Sequence, residues 1–166
     1  RPSGLGHYLI IIQRAKSTGP ARTQQADAMP PQVTVTRRAH FNAAHRLHDP
    51  ALSEAENARI FGPCANPNYH GHNYNLDVSV TGEIDPAPGY TIDIKTLKDL
   101  IETHVLSRFD HKNLNLDVAE FRDTIPTAEN IVLVCWRLLA PVIPRGRLSR
   151  IVLWETERNL VEYTGG

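Results

Sequence analysis

Asn75-Leu76-Asp77-Val78-Ser79-Val80-Thr81 alternates polar and apolar side chains without a break. Successive side chains of a strand leave opposite faces, so Leu76, Val78 and Val80 share a buried face and the others a wet one. Upstream, Gln32 to Leu47 also reads as a strand. Val33, Thr34, Val35 and Thr36 are largely β-branched, and Phe41, Ala43 and His45 fall on one face. The stretch from His48 to about Tyr69 is polar and turn-rich, with Asp49-Pro50 and Asn66-Pro67-Asn68 as breakers and a short helix expected over Ser53 to Ile60.

Downstream, Asp85-Pro86 and Pro88-Gly89 turn the chain into two amphipathic helices. Leu97, Leu100, Ile101 and Val105 form the first apolar stripe. Ile131, Val134, Cys135, Leu138 and Leu139 form the second, with Thr127 as N-cap, Glu129 in the first turn, and Pro141 and Pro144 ending it. Leu148 to Thr156 and Asn159 to Tyr163 read as strands joined tightly through Glu157-Arg158-Asn159. The order ββααββ predicts an α+β fold: a four-stranded antiparallel sheet with two helices on one face.

The 166 residues suit one domain, read as 32–166 behind an extension over 1–31. Residues 1–26 carry Arg1, Arg14, Lys16 and Arg22 and no acid, and the sole methionine, Met29, stands just before the first strand. A disordered tail is the preferred reading of 1–28, with organelle targeting as the alternative to a cytoplasmic protein. Eighteen basic and eighteen acidic side chains cancel, so no general attraction draws the chain to nucleic acid or to an anionic membrane. Tyr8 to Ile12 is too short an apolar run to span a membrane. Cys64 and Cys135 are too few for a disulfide scaffold and suit a reducing compartment.

His70-Gly71-His72 carries the chemistry. Two residues apart on a strand, both imidazoles share a face, and Gly71 leaves the backbone free to bend near an ion. If the first two strands pair, His45 joins them. Three neutral imidazoles with no fourth protein ligand describe a catalytic zinc site with an open position, although copper, iron or nickel also accept such ligands. By spacing alone, satisfied surface histidines explain the pattern about as well.

Cys64 lies in a loop without apolar periodicity, which suits a reactive thiol beside the metal or a fourth zinc ligand. Asp110-His111 follows the first helix. The aspartate can orient the imidazole as a proton acceptor, or the histidine simply faces the helix C-terminus. Glu155 continues the row of Ser149, Ile151 and Leu153, where a charge needs a partner. That partner is either a ligand with adjacent N–H donors, such as an amino-pyrimidinone edge, or an arginine such as Arg150 or Arg158.

Taken together, these segments resemble a known family. Phe41-Asn42-Ala43-Ala44-His45-Arg46-Leu47-His48, then Phe61-Gly62-Pro63-Cys64-Ala65-Asn66-Pro67-Asn68-Tyr69-His70-Gly71-His72-Asn73-Tyr74, is similar to the 6-pyruvoyl-tetrahydropterin synthase family. Gly82-Glu83-Ile84-Asp85-Pro86, Leu106 to Asn115 with its Asp110-His111-Lys112-Asn113-Leu114, Pro126-Thr127-Ala128-Glu129-Asn130 and Trp154-Glu155-Thr156 extend the match over about residues 33 to 164.

The resemblance implies a tunnelling fold assembled as a homohexamer, a dimer of trimers, with sites at subunit interfaces. It implies Zn2+ on His45, His70 and His72, Cys64 as general base, and Asp110 and His111 drawn from a neighbouring subunit to activate it. Glu155 would anchor a pterin ring with help from Thr127. The implied reaction is that of a carbon–oxygen lyase acting on phosphates: 7,8-dihydroneopterin triphosphate becomes 6-pyruvoyl-tetrahydropterin and triphosphate, in tetrahydrobiopterin biosynthesis. Arg37, Arg38 and Lys112 are candidates to hold the triphosphate by charge alone.

Tyr69 departs from the pattern, standing where relatives often carry glycine. The related 6-carboxy-tetrahydropterin synthases of the queuosine pathway usually have three residues between the cysteine and H-G-H. Here Ala65 to Tyr69 make five, as in the pyruvoyl enzymes. A zinc hydrolase in which Cys64 is incidental is the reading from a different class, and a non-catalytic pterin-binding protein is a third.

Overall fold

Phe41 and Tyr74 lie opposite each other in two long paired strands and stack with ring centroids 4.8 Å apart. The strands are β1 (Gln32–His45) and β2 (His70–Glu83), antiparallel from the Gln32↔Glu83 pair to the His45↔His70 pair. The structure, a computed structural model, describes residues 30–166. The extension expected over 1–31, and any targeting role of 1–28, thus lies almost wholly outside the described residues.

Between β1 and β2 the chain forms α1 (Glu54–Phe61) and a 3-10 turn, Gly62–Ala65. Ser53 and Glu56 close a reciprocal capping box at the start of α1, satisfying two N–H groups that a helix end leaves unpaired. After β2, α2 (Ile94–Ile101) starts at the N-cap Asp93, widens into a π turn over Glu102–Leu106 and ends as α3 (Ser107–Phe109). Then come β3 (Lys112–Asn113), α4 (Leu114–Asp117), α5 (Ala128–Leu139), β4 (Arg147–Trp154) and β5 (Leu160–Tyr163). Thr127 caps α5 as expected, its Oγ1 accepting the Asn130 N–H at 3.3 Å.

The sheet order is β3-β1-β2-β4-β5. Four of these strands are the expected ones, and their pairings are antiparallel. The fifth, β3, pairs in parallel with β1 at Ala43 and Ala44, so the sheet is mixed and five-stranded rather than four-stranded and antiparallel. Two residues carry no detectable alternation, and only the tertiary approach to β1 makes them a strand.

Leu76, Val78, Val80, Ile151 and Leu153 from the sheet join Leu97, Ile101, Val105, Ile131, Val134, Cys135 and Leu139 from the helices in one buried core. Full burial of such a side chain contributes roughly 1.5–3 kcal/mol. The other sheet face is polar: Thr34 meets Thr81, Thr36 meets Ser79, and Arg38 meets Asp77. Among the described residues no helix is long and apolar enough to cross a membrane.

Candidate metal centre

His45 and His70 are opposite one another in the β1–β2 register, and His72 sits opposite Ala43. The strand period places all three imidazoles on the helix-covered face. One nitrogen from each lies within 4.8 Å of the others, and the Nε2 atoms of His45 and His70 are 3.0 Å apart. Gly71 permits this close pairing, since a Cβ there would stand 3.3 Å from the Ala43 carbonyl oxygen.

His45 Nδ1 lies 2.8 Å from the Pro126 carbonyl, which can only accept. The proton therefore sits on Nδ1, and Nε2 turns a lone pair toward the other rings. Burial pushes the His45 imidazole down to about 4, and the neighbouring His70 and His72 act in the same direction. Burial also lowers His72, opposed by the Glu155 charge and reinforced by His70. His70 Nδ1 is buried with no hydrogen-bond partner among the described residues. Among the described residues the only hydrogen-bonding contact of that ring is His70 Nε2 to His45 Nε2, an arrangement of inward nitrogens that a shared cation would hold. The triad thus fits a metal ion.

Glu155 reaches the cluster from the end of β4. Its Oε1 is 3.7 Å from His45 Nε2 and 3.8 Å from His72 Nε2. Among the described residues neither arginine considered for it forms an ion pair with it: Arg150 pairs with Glu162 at 2.7 Å, and Glu155 meets only His45 and His72 rather than Arg158. Cys64 lies near enough to Glu155 for that charge to act on its thiol. Its carbonyl accepts the Leu47 N–H at 2.9 Å, and the next carbonyl, of Ala65, accepts Arg46 Nε at 2.7 Å. Burial, and then the Glu155 charge, raises the Cys64 thiol above its ordinary value, so it rests protonated. Thr127 adjoins Pro126, the anchor of His45.

Asp110 and His111 stand apart from that cluster. They bracket Asn42: Asp110 Oδ1 accepts its N–H at 2.9 Å, and the His111 N–H donates to its carbonyl at 2.7 Å. His111 Nδ1 lies 3.0 Å from Asp110 Oδ2, with the His111 side chain 77% exposed. The Asn42 N–H, then His111, holds the Asp110 carboxyl below the usual carboxylate range. His111 lines an open trough together with Asn42, Asn73 and His72, the last a member of the triad. Among the described residues no hydrogen bond joins the pair to Cys64.

Among the described residues the two non-glycine residues with positive φ are Tyr69 (62°), beside the ligand candidate His70, and His111 (58°). Such conformations cost about 1–2 kcal/mol and concentrate at functional sites. Pro126, Arg46 and Asn115 fall within or beside the family-like segments, but the sequence assigned none of them a role. Each acts through a contact remote in sequence, so no local signal could reveal it.

The family described as 6-pyruvoyl tetrahydropterin synthase matches residues 34–166. The 6-pyruvoyl tetrahydrobiopterin synthase of Pongo abelii is 46% identical over 134 residues, covering 81% of this chain and 92% of the relative. That of Homo sapiens is 45% identical over the same length and coverage. A solved structure of Caenorhabditis elegans 6-pyruvoyl tetrahydropterin synthase superposes with a TM-score of 0.79 at 40% identity, covering 82% of this chain and 98% of that one. Since one family spans the sheet, the helices and every residue of the histidine cluster, this chain belongs to the 6-pyruvoyl tetrahydropterin synthase family.

Proposed function

We propose that this chain is a zinc-dependent lyase that converts 7,8-dihydroneopterin triphosphate to 6-pyruvoyl-tetrahydropterin with release of triphosphate. The observation that carries this reading is the convergence of His45, His70 and His72 with the Glu155 carboxylate 3.7 and 3.8 Å from two of them. All-imidazole ligands with no fourth protein donor favour a catalytic zinc. When bound, zinc polarises the side-chain oxygens of the substrate and makes the adjoining C–H bonds more acidic.

Glu155 holds the pterin ring, a carboxylate matching the adjacent N–H donors of an amino-pyrimidinone, and Thr127 supports the ring from the α5 cap. Cys64 removes the carbon-bound proton. Because burial and Glu155 keep its thiol protonated at rest, it needs a base, and His111 oriented by Asp110 supplies one. Among the described residues no hydrogen bond joins the exposed pair to its own Cys64, which favours service to the Cys64 of an adjoining copy within a homohexamer. Loss of triphosphate, oxidation of both side-chain hydroxyl carbons and reduction of the ring balance internally, so no external redox cofactor is needed.

Product analysis tests the reading. Zinc-loaded protein given 7,8-dihydroneopterin triphosphate should yield triphosphate and a pyruvoyl-tetrahydropterin by mass spectrometry. Acetaldehyde with a carboxy-tetrahydropterin would move the chain to the 6-carboxy branch. Phosphate release that survives Cys64→Ala would favour a zinc hydrolase.

A further inference from the structure

The helix-covered row of β2 runs His70, His72, Tyr74, Leu76, Val78, Val80, so Tyr74 stands where ligand candidates give way to core. It has no exposed surface. Its ring meets two imidazoles of the triad edge-on, with centroids 5.5 Å from His72 and 6.2 Å from His45. On β1, its register partner Phe41 stacks against it at 4.8 Å, and Phe41 in turn meets Phe109 at 5.8 Å. Both phenylalanines are fully buried as well, so the tyrosine ring cannot turn without repacking the core.

Packing explains the ring but not the hydroxyl, since a phenylalanine would fill the same apolar space. Among the described residues the only hydrogen-bonding contact of the Tyr74 oxygen is His45 Nδ1, 3.5 Å away. The proton on that nitrogen is directed at the Pro126 carbonyl, 2.8 Å away. The Tyr74 oxygen can therefore only accept a second, longer share of it. Its own O–H is then left without an acceptor among the described residues. A buried hydroxyl in that position costs stability that an apolar ring would not. Such a cost, set directly against a ligand candidate, points to a role at the metal centre.

What happens at Nδ1 matters to a cation at Nε2. Acceptors that draw on the Nδ1 proton enrich the lone pair across the ring and fix the ring's orientation. Glu155 and His70 approach His45 only through Nε2, at 3.7 and 3.0 Å. Nδ1 is held by Pro126, just ahead of α5, and by Tyr74 of β2, two elements remote from each other in the chain.

We propose that Tyr74 is a positioning residue of the metal centre: its oxygen shares the Nδ1 proton of His45 with the Pro126 carbonyl, and its ring backs His45 and His72, so that both imidazoles are oriented before a cation arrives. The inference rests on the zinc reading above. Tyr74 acts through the two histidines and does not itself touch metal or substrate.

Three measurements on the full chain test this: zinc competition against a chromophoric chelator, visible absorption of the cobalt-loaded protein, and urea unfolding of the metal-free protein. Tyr74→Phe keeps the ring and loses the hydroxyl. It should weaken zinc binding about tenfold and shift the cobalt bands, while the metal-free unfolding midpoint holds or rises. Tyr74→Leu loses the ring as well and should weaken zinc about a hundredfold. A residue that only packs would behave in the opposite way, with a lower midpoint but unchanged zinc affinity and cobalt bands. Wild-type zinc affinity and cobalt bands in Tyr74→Phe would overturn the proposal, whether or not Tyr74→Leu folds. His72→Ala is the control for the zinc reading itself. If that variant binds zinc as tightly as the wild-type chain, or the wild-type chain binds none, the triad is not the metal centre and the proposal falls with it.

Discussion

Asn115 holds both backbone polar groups of Arg46: its Oδ1 accepts the Arg46 N–H at 2.8 Å, and its Nδ2 donates to the Arg46 carbonyl at 2.9 Å. Arg46 follows the ligand candidate His45 and reaches the Ala65 carbonyl beside Cys64 with its own Nε. Asn115 follows β3, next to the Asp110–His111 pair. One amide therefore ties the end of β1 to α4, the element that follows the exposed dyad and β3, while Arg46 ties it to the cysteine loop.

Asn115→Ala should accordingly destabilise the protein by about 2–3 kcal/mol, since it strands an N–H and a carbonyl in a partly buried place. Urea unfolding at fixed zinc concentration measures this. An unchanged midpoint would show that solvent replaces the amide without loss.

Replacing Cys64 separates a base from a ligand. Cys64→Ala should lower kcat by about 10²–10⁴ while zinc content stays at the wild-type level. Metal analysis of the purified variant decides the point, because a fall in bound zinc would make the sulfur a fourth ligand.

Acid should destabilise the metal-free protein through His45. Its pKa falls from an ordinary 6.5 to about 4 on folding. Between those values the unfolded chain binds a proton that the native ring refuses, so the contribution is whole above the unfolded pKa. It then drains as pH falls to the folded one, a loss of about 3 kcal/mol over the window. Denaturant unfolding across the upper part of that window, before carboxylates titrate, should show the slope. A flat profile there would contradict a buried neutral imidazole.

Tyr69→Gly should stabilise the chain by about 0.5–1 kcal/mol, because glycine adopts positive φ without the Cβ clash that tyrosine suffers at 62°. A rise of a few degrees in Tm is the expected readout. A fall would mean that the tyrosine ring makes up for the backbone strain through its own contacts.

The local patterns of this chain were legible without its fold. Leu76, Val78 and Val80 declared a one-sided strand, and the stripe from Ile131 to Leu139 behind Thr127 declared a capped helix, because both depend on spacings of two to four residues. His70-Gly71-His72 was a ligand pattern for the same reason, and the ordered motifs carried the family. What the tertiary structure decided was every relation that spans the chain. It made Lys112–Asn113 a parallel strand against β1, turned Glu155 to the histidines rather than to Arg150, and set Asp110 on the Asn42 N–H. It also committed Arg38 to Asp77 and left Arg37 unpaired among the described residues. Alternation along a strand assigns a side chain to a face, but only the packing of remote segments determines which charge it meets there.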